Sequence, residues 1–89
     1  MNRQEFEAKL RADGFGEIEA KALSPRPANH EHGHDHTVRG LVLAGDFTVI
    51  CGGRPRTYKP GEIFEVAKGV EHSEEIGGAG AEVLIGRKY

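Results

Sequence analysis

The chain has 89 residues, 37% of them apolar, with 12 basic and 14 acidic side chains and a formal charge of −2. Such a length allows one small domain with a thin core, burying only about 60% of its unfolded surface, so a bound metal or dimerisation would add stability. The near-neutral balance, with no run of one sign, excludes the basic face of a nucleic-acid module.

The opening residues Met1-Asn2-Arg3-Gln4-Glu5 are charged from the start and do not read as a signal peptide. No stretch nears the roughly 18 apolar residues of a membrane span, and the expectation is a cytoplasmic protein with no membrane partner. Residues 2–13 read as a helix. Asn2 caps it, Glu5 completes a capping box, Phe6 and Leu10 form an i, i+4 apolar pair, and Gly14 stops it. So short a helix is marginal alone, and its two apolar residues must dock.

Over 17–22 charged and apolar residues alternate, which predicts a half-buried strand, and Ser24-Pro25-Arg26-Pro27 ends it. Further strands are expected over 38–43, 47–51, 57–58, 63–66, 70–76 and 82–85. Turn signals separate them at Gly45-Asp46, Gly52-Gly53, Pro60-Gly61 and Lys68-Gly69, with a loose loop at Gly77-Gly78-Ala79-Gly80. About seven short strands after one helix predict an all-β, antiparallel sandwich or barrel. Cys51, the single cysteine, excludes an intramolecular disulfide framework and reads as an inert thiol in an apolar strand.

Four of the five histidines fall in His30-Glu31-His32-Gly33-His34-Asp35-His36. In an extended segment the even-numbered rings share one face, and adjacent parallel side chains can reach one cation. One strand cannot close a coordination sphere, so a further ligand must come from elsewhere. His72 lies 38 residues beyond His34, in a different expected strand. The competing reading is a solvated His-rich loop that collects metal nonspecifically. Glu71, Glu74 and Glu75 flank His72 and read as a solvated acidic strand end, one of which could accept its second ring proton. Arg39 reads as a surface or interface residue.

These residues resemble the cupin superfamily. Its first motif is Gly-x5-His-x-His-x3,4-Glu-x6-Gly, and counting back from Gly45 places the pair at His32 and His34. Its second is Gly-x5-Pro-x-Gly-x2-His-x3-Asn, and Gly61, Gly69 and His72 match that spacing. The resemblance covers about residues 28 to 86. The chain departs from it at Arg26, Ala67 and Ile76, and most consequentially at Val38, which stands in the carboxylate slot.

The resemblance implies a single domain over 1–89: a helical segment over 1–14 and a small antiparallel jelly-roll barrel over 17–86. It implies a divalent metal on His32, His34 and His72. His36 and Asp35 match no motif position but lie close enough to replace the missing ligand, and His30 precedes the pair, at the mouth. Val38, Phe47, Tyr58 and Phe64 are the expected pocket lining. Three neutral imidazoles leave the ion's charge uncompensated, which favours hydroxide or an anionic substrate. Zn, Fe, Ni, Cu and Mn all stay open as the metal. The functional expectation is a metalloenzyme acting on a small anionic or carbonyl substrate, dioxygenase- or isomerase-like. The alternative is a non-catalytic cupin that binds or senses a ligand or metal. A C2 homodimer is expected, because a thin sheet with exposed edges gains by pairing.

Overall fold

Asn2 starts the one helix, α1 (Arg3–Ala12), in a computed structural model that describes residues 1–89. Its side chain accepts from the Glu5 N–H at 2.8 Å, and the Glu5 carboxylate accepts from the Asn2 N–H at 3.3 Å. This reciprocal pair satisfies two donors that the first turn leaves free. Phe6 and Leu10 are fully buried and pack with Phe15, Leu41 and Leu84. Docking, more than propensity, holds the helix.

Five strands follow: β1 (Gly16–Leu23), β2 (Thr37–Cys51), β3 (Arg54–Tyr58), β4 (Ile63–Val66) and β5 (Ser73–Lys88). All pairings are antiparallel, in the order β1-β5-β2-β3, with β4 on the first half of β2. Side chains alternate between two apolar clusters, as strand period demands. Leu41 and Leu84 face the helix, while Val42, Val83 and Ile85 face the interior with Phe47, Val49, Phe64, Val66, Ile76 and Ala81. No helix is long and apolar enough to cross a membrane.

Seven expected strands become five, because two glycine segments that read as a turn and a loop are bends inside long strands. β2 and β5 pair along most of their length, with register slips on either side of Gly45. Gly45 and Gly80 both have φ of +73°. A Cβ on Gly45 would lie 1.9 Å from the Gly80 carbonyl oxygen. The strands bend together where only backbone fits between them. The strand expected from position 70 begins at Ser73, after an isolated bridge between His72 and His32. β1 also differs in its facing. Lys21 and Leu23 point into the pocket, whereas Ile18 packs on the helix-side cluster.

Arg39 joins the end of the helix to the sheet. Its guanidinium donates to Asp13 and, at 2.7 Å, to Glu65, and lies 4.4 Å above the centre of the Phe15 ring. Arg39, and secondarily Lys9, hold the Asp13 carboxyl below its ordinary value of 3.8. Stability from a depressed carboxylate is complete above the unfolded value and is lost as pH falls through the folded one. Arg39→Gln should therefore lower the urea midpoint at pH 7. Its deficit against the parent should narrow below pH 3.8. A deficit unchanged down to pH 2 would contradict the ion-pair account.

Candidate metal centre

The connection between β1 and β2 runs antiparallel to the start of β5 and is stitched to it by backbone bonds. Arg26 and Ile76 exchange N–H···O bonds at 3.1 and 3.0 Å, and His32 and His72 exchange two of 2.9 Å. The Asn29 side-chain oxygen accepts from the Glu74 N–H at 2.8 Å. The Gly69 N–H donates to the His34 carbonyl at 2.9 Å. Residues that exchange both bonds stand directly opposite, with their side chains on one face.

That pairing sets the rings of His32 and His72 4.5 Å apart, and His34 lies 5.1 Å from the first and 5.3 Å from the second. One nitrogen from each of the three falls within 4.8 Å of the other two. His72 is buried at 1% exposure, beneath the half-buried His32 and His34.

Two of the three rings are oriented by the same local device. His32 Nδ1 is 3.1 Å from the His30 carbonyl oxygen, and His72 Nδ1 is 3.1 Å from that of Val70. A carbonyl only accepts, so in the neutral rings each Nδ1 carries the proton and each Nε2 is the atom left to ligate. Burial, followed by the charges of His32, His72 and His36, lowers the His34 pKa below 6.5. His34 is therefore neutral, the ligating form, at neutral pH. Three convergent imidazoles with this tautomer control fit a divalent transition metal by the chemistry of the donors alone.

The other expected site residues fall in several places. His36 lines the pocket, stacks on His34 at 5.0 Å, and has Nδ1 2.8 Å from the exposed Asp35 carboxylate. That contact lowers the Asp35 pKa, and Asp35 itself is not on the pocket wall. His30 is exposed, its ring 6.3 Å from that of His32, and it contributes its carbonyl to that neighbour.

Val38, Phe47 and Phe64 line a pocket of about 300 Å³ together with His32, His34 and His36. Tyr58 does not. Its ring packs 5.8 Å from Phe64, beneath the Arg56 guanidinium, because that edge of β3 lies outside the opening. Lys21, Leu23, Glu74, Val83, Ile85 and Arg87 complete the wall and were not anticipated as lining. Arg87 is held by Glu19 at 2.7 Å. Period-two spacing was the available signal: Lys21 with Leu23, Ile85 with Arg87, and Glu74 with His72.

No family model matches the sequence, and no curated protein matches it. Solved structures do. A cupin-2 domain protein from Shewanella frigidimarina superposes with a TM-score of 0.69 at 19% identity, over 81% of this chain and 69% of that one. The Clostridium difficile EutQ protein gives 0.72 at 14%, over 89% and 60%. An RmlC-like cupin from Shewanella frigidimarina gives 0.68 at 20%, over 80% and 63%. The chain thus spans between 60% and 69% of these three proteins. At such identities the likeness is one of fold. Five antiparallel strands curled around an apolar interior, with one short helix docked outside, make this chain a small cupin in its fold.

Proposed function

We propose that the protein binds one divalent transition metal through His32, His34 and His72, beside a pocket for a small anionic or carbonyl-bearing ligand. The observation that carries this reading is the matched orientation of His32 and His72. Both spend Nδ1 on a backbone carbonyl, which leaves Nε2 as the ring atom free to ligate, and the three rings converge. Three convergent imidazole nitrogens beside an open pocket suit a shared cation. Burial, and then repulsion between neighbouring rings, disfavours a proton on His34, as its lowered pKa reflects.

A bound ion would act as a Lewis acid toward a coordinated oxygen. The chain supplies the rest. Val38, Phe47, Phe64, Val83 and Ile85 form a dry wall, and Lys21 and Arg87 bring positive charge to match an anion. About 300 Å³ is the lower end of ordinary ligand pockets, which restricts the ligand to a small molecule. The reading includes a twofold homodimer, supported by β1 at the open edge of the sheet.

Elemental analysis of tag-free protein should find about one zinc, iron, nickel, copper or manganese ion per chain, retained through dialysis. Several loosely held ions that dialysis removes would instead identify the 30–36 tract as a nonspecific collector. Turnover of a small carboxylate or carbonyl compound, lost on metal removal and restored by one ion, would mark a metalloenzyme. Binding without product would mark a sensor.

A further inference from the structure

We infer that Glu74 is a fourth, carboxylate ligand of this centre, supplying from β5 the oxygen donor that Val38 cannot offer from β2. The inference rests on the three-histidine reading and extends it.

Glu74 lies two residues after His72, hence on the same face, and lines the pocket with His32 and His34. Its Oε2 is 3.5 Å from His72 Nε2. The Val70 carbonyl accepts from Nδ1, so Nε2 is the ring atom that faces the carboxylate oxygen. A cation between two such atoms, one of them on a ring 1% exposed, would satisfy both. Two ligand atoms each about 2.0–2.2 Å from one zinc ion at a tetrahedral angle stand about 3.3–3.6 Å apart. The 3.5 Å between Glu74 and His72 falls within that range.

The rest of the residue is clamped. Arg26 Nη2 donates to Glu74 Oε1 at 3.3 Å, and Arg26 Nη1 donates to the Glu74 carbonyl at 3.3 Å. The Glu74 N–H is taken by Asn29. Oε1 is therefore engaged by Arg26, while Oε2 faces His72. Such support from beyond the ligands is how metal sites fix a carboxylate in place. A three-histidine, one-carboxylate set also carries one negative charge. It adds an oxygen donor of the kind that manganese accepts, beside the imidazoles that suit iron, nickel, copper and zinc.

The test is Co(II) binding to the metal-stripped, tag-free full chain. It reads the dissociation constant by competition with a chromophoric chelator and the visible spectrum of the bound ion. Glu74→Gln keeps the shape and a hydrogen bond to Arg26. It should weaken Co(II) binding at least about 100-fold, beyond what losing a merely orienting partner costs, and should change the spectrum. Arg26→Gln should keep the parent spectrum.

Should Glu74→Gln fail to fold, Glu74→Asp retains the charge and backbone contacts but withdraws the oxygen. It should bind Co(II) at least about tenfold more weakly, with an altered spectrum. Parent-like affinity and spectrum in a folded Glu74 variant would overturn the carboxylate assignment and leave the histidine site standing. Parent protein that binds Co(II) no better than His72→Ala would overturn both.

Discussion

His72→Ala is expected to lose the metal. The ring is 1% exposed, its Nδ1 is committed to the Val70 carbonyl, and its Nε2 is the donor that comes from outside the 30–36 segment. Removing it leaves two imidazoles on one stretch of chain, which cannot close a coordination sphere. Losing a partner that only orients a ligand costs about 10–100-fold in affinity, so loss of the ligand itself should cost about 1000-fold or more.

His30→Ala is the informative contrast. That ring is exposed, and only its carbonyl serves the site, so zinc affinity should stay within a few-fold of the parent. Calorimetric zinc titration of both variants decides the matter. Undiminished binding by His72→Ala would mean that the exposed tract, not the buried ring, holds metal. His72→Gln fills more of the buried volume and separates ligand loss from unfolding.

Gly45→Ala should be among the most destabilising single changes in the sheet. Alanine at φ +73° costs about 1–2 kcal/mol from the left-handed backbone alone. Its Cβ would also meet the Gly80 carbonyl oxygen at 1.9 Å and the Ala81 Cα at 2.9 Å. Both are backbone atoms of the paired strand and cannot rotate aside, so overpacking adds about 1–3 kcal/mol. A domain of this size holds only about 4–13 kcal/mol in all.

Gly52→Ala calibrates the estimate. It shares a positive φ, +57°, but has nothing within 4 Å, so only the conformational part should appear. Urea midpoints for the two variants should differ in that order. Equal losses would refute the steric account of the bend. Ser73 to Ile76, beyond the bend, pair with Phe47 to Ile50, so the strain also reaches the strand that carries Glu74.

The helix was legible because its cap, its apolar pair and its stop all agree in the sequence, and docking required nothing more. The number of strands was not legible at Gly45 and at 77–80. Glycine reads as a turn when the real demand is the close approach of a second strand, which a linear pattern does not display. Alternation over 17–22 marked a strand but not its facing, since a pocket wall accepts Lys21 where a dry core would not.

At the site, spacing marked the four histidines of 30–36 and His72, the cupin motifs narrowed them to His32, His34 and His72, and the folded chain sets those three together. Glu74 was hidden among three adjacent acids. Its contacts with Asn29, Arg26 and His72 and its place on the pocket wall single it out from Glu71 and Glu75, which are exposed. The Tyr58 reading followed from aromatic character, which does not say on which side of Phe64 a ring will stand.

The paired backbone bonds between His32 and His72 tie ligand supply to the attachment of an irregular stretch of chain. Peeling that stretch from β5 withdraws two imidazoles at once, so an ion held there would be expected to escape by fraying rather than by stepwise ligand exchange. Capture in turn glues the segment down, making occupancy and hydrogen-exchange protection of those amides two readings of a single equilibrium.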